Sequence, residues 1–259
     1  MLPAARGHEI AFFYALDADL AALKESANPA GASKIVAGQS ITTLQIGPHG
    51  VHAVKMGAGC IQTALAAATM LARFPCDMAV TMGPTGRLSD KLAIGEWVRV
   101  AEVVSYQQGS ETNGGFVLGT NAAKKLGDKS EIAAPKSLAA GKSVRLASGE
   151  LFIASTAFRE QLRTTTQAAC VDMNLAGLAA ACSAAGVPLF AWKVVSDSAN
   201  DSASTDFQTF VNAYRGEGGR WIAEWIASLP PDPNDPGSHS HLKALLDSSS
   251  EPTPPNLDQ

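Results

Sequence analysis

The polar residues that could do chemistry each stand just behind an apolar run. Asp17 and Asp19 follow the run at 9–14, Gly57-Ala58-Gly59 follows 51–56, and Gly83-Pro84-Thr85-Gly86-Arg87 follows 77–82. Asn174 follows 168–173, and Ser196 and Asp197 follow 189–195. Asp197 carries the sharpest signal. A carboxyl ending a stretch as apolar as Leu189-Phe190-Ala191-Trp192 is expected to be partly desolvated. Desolvation raises a carboxyl pKa and makes a proton donor near neutral pH. The same side chain could instead cap the segment after it, and the residues alone leave both roles open. Gly57-x-Gly59 suits a tight strand-to-helix turn. With no GKS/T and no complete GxGxxG in the chain, a P-loop or dinucleotide site is not expected.

The elements that would hold these residues alternate. Residues 9–14, 51–56, 77–82, 97–106, 143–147, 168–173 and 189–195 read as strands. Residues 17–26, 60–74, 175–185 and 207–229 read as helices, the last one amphipathic. Residues 107–139 are polar and read as loop with a short helix, and 83–86 read as a turn. Strands alternating with helices predict an α/β fold in one domain, a central mixed, twisted sheet flanked by helices on both faces. Ligands of such sheets sit outside the carboxyl ends of the strands, where the polar residues collect.

Composition narrows the function. Hydrophobic residues make up 46% of the 259 and charged residues 17%, enough for a large core. The net charge of −4 is all accounted for by residues 229–259, so the body is neutral. No basic stripe is present, so no nucleic-acid partner is expected. Half of the 14 prolines also fall in 229–259, which reads as a flexible Pro/Ser/Asp-rich tail with a helical turn or two near 241–246, behind a domain at 1–228. The four cysteines form no CxxC pair and read as reduced thiols. The five histidines lack metal-ligand spacing, so neither metal nor cofactor is expected. The start, MLPAARGHEIAFF, is unlike a signal peptide, and Gly186 and Pro188 split the apolar stretch at 175–192. The expectation is a cytoplasmic protein with no membrane contact.

Six separated segments carry a resemblance. They are Ala15-Leu16-Asp17-Ala18-Asp19, Gly57-Ala58-Gly59, Met82-Gly83-Pro84-Thr85-Gly86 with Ile94-Gly95-Glu96-Trp97-Val98, Ser148-Gly149-Glu150-Leu151-Phe152-Ile153, Val171-Asp172-Met173-Asn174 and Val195-Ser196-Asp197. In order and spacing the chain resembles the nucleoside phosphorylase/nucleosidase superfamily, above all the 5′-methylthioadenosine/S-adenosylhomocysteine nucleosidases. That resemblance implies catalytic roles for Asp197, protonating purine N7, and for Asp19, activating water. It implies substrate contacts from Phe152, Ile153, Met173, Asn174, Asp172, Ser196, Pro84 and Lys193, and a homodimer. The chain departs from the pattern in four places. Asn174 stands where an acid usually binds the ribose hydroxyls, Pro84 where Ser is usual, Lys193 where Arg is common and Asp19 where Glu is usual. Asp172 shares the face of Asn174 in an extended chain and could replace part of the missing acid.

The expected function is hydrolysis of the N-glycosidic bond of a purine nucleoside, an adenosine derivative with a 5′ substituent. Two acids on the first loop repel phosphate and suit water. The alternatives are a phosphate-dependent phosphorylase, with Arg87 reaching the phosphate, and a catalytically degenerate nucleoside-binding protein.

Overall fold

The computed structural model describes residues 7–127 and 141–230. The tail at 231–259 and the last part of the polar stretch, 128–139, lie outside the described residues. In chain order the elements are β1 Glu9–Tyr14, α1 Asp17–Glu25, β2 Asn28–Pro29, β3 Lys34–Val36, β4 Gln39–Ile46, β5 His49–Lys55, α2 Cys60–Arg73, β6 Met78–Arg87, β7 Trp97–Ser105, β8 Gly109–Thr112, β9 Gly115–Leu118, β10 Ala123–Lys125, β11 Lys142–Ser148, α3 Thr156–Thr166, β12 Cys170–Asp172, α4 Leu175–Ala184, β13 Leu189–Asp197, α5 Ala203–Ala213 and α6 Glu217–Ser228.

The main sheet is mixed, as the alternation predicts. Its order is β10-β7-β11-β12-β6-β1-β5-β4-β2, with β3 on β4 and β13 pairing both β6 and β7. That double pairing closes β7, β11, β12, β6 and β13 into a ring, which the residues did not announce. Strand β1 shows why helices cover both faces. Its side chains alternate, so Ala11 and Phe13 pack with Met70, Leu175 and Leu178 of α2 and α4, while Ile10, Phe12 and Tyr14 pack with Leu23, Ile222 and Trp225 of α1 and α6. A third cluster, around Leu88, Ala147, Ile153 and Leu162, seats α3. Among the described residues no helix is long and apolar enough to cross a membrane.

Three local readings need correction. Gly83-Pro84-Thr85-Gly86 is not a turn but the second half of β6, because β13 runs beside it in register from Leu189↔Ala79 to Asp197↔Gly86. Pro84 is tolerated there for a geometric reason. Pairing with β1 ends at Met82 and pairing with β12 starts at Gly86, so the missing N–H falls in the gap between two neighbours. The polar stretch, read as loop with a short helix, holds a β8–β9 hairpin and strand β10 over its described part, 107–127. The final helix is two helices, broken at Tyr214-Arg215-Gly216. Gly216 is left-handed (φ 76°), and a Cβ there would lie 2.2 Å from the Ala18 carbonyl oxygen. The strands at 28–46 and helix α3 were not read from the residues, although α3 is amphipathic and Ser155 caps its start by accepting from the Phe158 N–H.

Helices α2 and α4 meet closely where Gly177 faces the start of α2. A Cβ on Gly177 would stand 2.0 Å from the Cys60 carbonyl oxygen, against backbone that cannot yield cheaply. Gly177→Ala is expected to destabilise the fold by ~1–3 kcal/mol or more. A lowered urea midpoint with unchanged slope is the readout, and an unchanged midpoint would contradict the packing.

Candidate active site

Strand β13 is buried along its whole length, and Asp197 ends it only 3% exposed. Ser196 Oγ donates to Asp197 Oδ2 at 2.8 Å, and the Ala199 N–H donates to Oδ1 at 2.9 Å. The carboxyl therefore does cap the turn that follows it, and it is desolvated as well. Burial pushes its pKa above the ordinary aspartate value, and the two hydrogen bonds only partly oppose that. Gly86 makes the room, since a Cβ there would stand 2.8 Å from Asp197 Oδ1.

Asp197 opens on a cleft of about 400 Å³, within the size range of small-molecule sites. The strand ends line up across it. From Lys55 on β5 to Asp197 on β13 the order is β5, β1, β6, β13, three strand spacings or roughly 14 Å, about the length of a nucleoside. Of the residues expected at the site, the cleft brings together Asp197, Ser196, Phe152, Ile153, Asp172, Met173, Asn174 and Pro84. Phe152 is held in place from below: the Leu151 N–H donates to Tyr106 Oη at 3.1 Å and the Glu150 N–H to Gln107 Oε1 at 2.7 Å. Phe207, from α5, joins the lining and packs edge-on against Phe152, with ring centroids 5.6 Å apart. Nothing in the sequence marked Phe207. Lys55 also lines the cleft and pairs with Asp17 at 2.7 Å. It ends a buried strand just as Asp197 does, so the same rim logic would have found it.

Two expected residues lie elsewhere. Asp19 does not face the cleft and has no exposed surface. Its Oδ1 accepts from Tyr214 Oη at 2.6 Å and from the Gly219 N–H at 3.2 Å, at the start of α6. The short side chain reaches the helix end rather than the substrate space. Its Oδ2 is buried with no hydrogen-bond partner among the described residues. Lys193 is 1% exposed and points behind the wall to Asp172, with Nζ–Oδ2 at 2.7 Å. Asp172 Oδ1 in turn accepts from the Asn174 and Leu175 N–H groups, both at 3.2 Å. Lys193 thus reaches the cleft only through Asp172, and Asp172 spends its oxygens on α4 and on Lys193.

Burial lifts the Asp19 carboxyl to about 6, against the pull of the Tyr214 and Gly219 hydrogen bonds. The native state then holds this proton more tightly than the unfolded chain does. Its contribution to stability is full below about pH 4 and is lost as pH rises through about 6. Urea midpoints measured from about pH 4 to about pH 7 should fall for the parent relative to Asp19→Asn. Parallel curves would mean a solvated carboxylate.

The family follows from a match over most of the chain. Residues 9–226 fit the model of the Phosphorylase superfamily. The chain belongs to that superfamily. Among curated relatives, a 5′-methylthioadenosine/S-adenosylhomocysteine nucleosidase of Shewanella halifaxensis is 26% identical over 215 residues, 78% of this chain and 92% of the relative. Among solved structures, the fold is shared with a Helicobacter pylori nucleosidase mutant holding 5′-methylthioadenosine in its active site (TM-score 0.77, 19% identity, covering 86% of this chain and 100% of that one). It is also shared with Helicobacter pylori futalosine hydrolase (TM-score 0.76, 18% identity, covering 86% and 98%). Superfamily membership and the mixed α/β fold thus agree with the resemblance seen in the residues.

Proposed function

We propose that this member of the superfamily is a nucleosidase, cleaving the N-glycosidic bond of a purine nucleoside by protonating the departing base from Asp197. One observation carries the reading: a buried carboxyl of raised pKa opens on a nucleoside-sized cleft beside two aromatic rings. Protonation turns the base into a neutral leaving group, and the sugar passes through an oxocarbenium-like state. The apolar surroundings of Phe152, Phe207 and Met173 suit a base and its stacked contacts. The curated relative's name makes an adenosine derivative with a 5′ substituent the substrate of choice for this reading.

Water rather than phosphate is the acceptor in this reading, because the places an anion would use are filled. Glu150 Oε1 accepts from the Ile61 N–H at the start of α2 at 2.9 Å. At the start of α4, Asp172 takes two N–H groups and Ser148 Oγ takes that of Ala176 at 2.9 Å. The start of α4 is thus taken up, and at the start of α2 a carboxylate stands where a phosphate would come. Arg87 is turned to Ser198 Oγ and the Leu92 carbonyl. Lys55 is already matched by Asp17. Asp19 stands behind the wall, so the reading now rests on leaving-group protonation, with water adding to an already electrophilic sugar and losing its proton to solvent or to the Asp197 carboxylate left by the first step. The homodimer belongs to the same proposal, with exposed Ile61 and Leu65 of α2 offering apolar contact.

The test is the sugar product. Turnover of a purine nucleoside with added phosphate should yield the free reducing sugar at an unchanged rate. A sugar 1-phosphate, or a rate that requires phosphate, would replace this reading with phosphorolysis. The burial of Asp19 favours one rival, a nucleoside-binding protein without turnover, which would show ligand-raised melting and no released base.

A further inference from the structure

We infer that Tyr106, which lies behind the cleft, is the positioning residue for base recognition: its hydroxyl sets which way the backbone beside Phe152 faces. This rests on the nucleosidase reading and adds to it the residue that decides what the cleft offers to the edge of the base.

Residues 149–154 join β11 to α3, and beyond Gly149 no strand pairs with them. Tyr106 takes the place of a strand. The Leu151 N–H donates to Tyr106 Oη at 3.1 Å, and Tyr106 Oη donates to the Leu151 carbonyl at 3.3 Å. One hydroxyl thus meets both polar groups of one residue, as a neighbouring strand would. The ring itself is fixed. It is buried and stands edge-on to Phe158, with centroids 6.4 Å apart. It also fills the space left by Gly149, where a Cβ would lie 2.4 Å from Tyr106 Cζ. Burial pushes the phenol up to about 12, so the hydroxyl keeps its proton and goes on donating around neutral pH.

The peptide between Leu151 and Phe152 is trans, and a trans peptide points its N–H opposite to its C=O. With the Leu151 carbonyl held toward Tyr106, the Phe152 N–H faces the other way. Tyr106 does not line the cleft, whereas Leu151, Phe152 and Ile153 do, so the side away from the hydroxyl is the cleft side. The Phe152 N–H makes no hydrogen bond among the described residues. The cleft therefore receives a fixed backbone donor beside the Phe152 and Phe207 rings. A donor selects a base that presents an acceptor there, such as an unprotonated ring nitrogen. No other hydrogen bond among the described residues holds the Leu151 carbonyl. Without the hydroxyl, the peptide is free to turn and offer that carbonyl instead.

The experiment compares adenosine with 1-deazaadenosine and 3-deazaadenosine, each lacking one ring-nitrogen acceptor, on the full chain and on Tyr106→Phe. Leu151 is half exposed, so water takes up the groups that the variant frees and the fold is kept. In the parent, one deaza compound should compete about tenfold or more weaker than adenosine. In Tyr106→Phe, the KM for adenosine should rise about tenfold, kcat should stay within about threefold, and the deaza gap should shrink to about threefold or less. A merely structural role would weaken all three compounds alike. The decline with pH set by Asp197 should not move, because the bonds of that carboxyl run to Ser196 and Ala199. A parent that binds both deaza compounds as tightly as adenosine would overturn the inference. So would a folded Tyr106→Phe that keeps the parent's full gap, or one that loses kcat alone. Should Tyr106→Phe not fold, Gly149→Ala, which crowds the same ring, takes its place with the same narrowing expected. If no base is released, the nucleosidase reading fails separately, and thermal shifts with the same three compounds still decide whether the hydroxyl sets the donor.

Discussion

Asp197→Asn is expected to lower base release by roughly 10²- to 10⁴-fold, the usual worth of a general acid. The substitution should remove the proton and little else. An amide oxygen at this position still accepts from the Ala199 N–H, and its amino group can donate to Ser196 Oγ, which keeps its bond to the Thr85 carbonyl. The pH profile separates chemistry from folding. Only the protonated acid is active, so the parent's kcat/KM should decline as pH climbs through the raised Asp197 value, and that decline should vanish in the variant. Stability should move the other way. A buried carboxyl with a raised pKa destabilises the native state once it is ionised. The variant should therefore melt at least as high as the parent at neutral pH. A variant with the parent's rate, or a lost rate traced to an unfolded chain, would remove Asp197 from the mechanism.

Lys193→Met is expected to cost ~3–5 kcal/mol of stability, since it leaves the Asp172 carboxylate buried without its counter-charge. Adding Asp172→Asn should restore much of that loss. The neutral amide oxygen can still cap the Asn174 and Leu175 N–H groups, and no buried charge remains. Urea midpoints of the two single variants and the double variant form a cycle. A coupling near zero would mean that the pair is independent and that Lys193 acts elsewhere.

How far the residues alone reached depends on what each feature rests on. Strands β1, β5 and β13 were legible as unbroken apolar runs, since both of their faces are buried, and helix α2 as a long Ala/Leu-rich segment behind a Gly turn. Features decided by a distant neighbour were not. Pro84 looked like a turn because Gly and Pro usually punctuate the chain, yet the register with β13 carries it through as strand. The break between α5 and α6 follows from Gly216 meeting the Ala18 carbonyl, nearly 200 residues earlier in the chain. The cleft was readable as a list of strand ends, which is why eight of the ten expected site residues line it. Asp19 and Lys193 escaped because position along the backbone does not tell where a side chain points. The choice between cleft and interior was made by Tyr214 and Gly219 for the one and by Asp172 for the other.

The most direct test of the central claim is to incubate enzyme-level amounts of the purified chain with purine nucleosides, 5′-methylthioadenosine first, in phosphate-free buffer and to assay free base. The account predicts stoichiometric and then catalytic release of the base with a reducing sugar. Intact nucleoside after many hours, despite a clear ligand-induced rise in melting temperature, would contradict it.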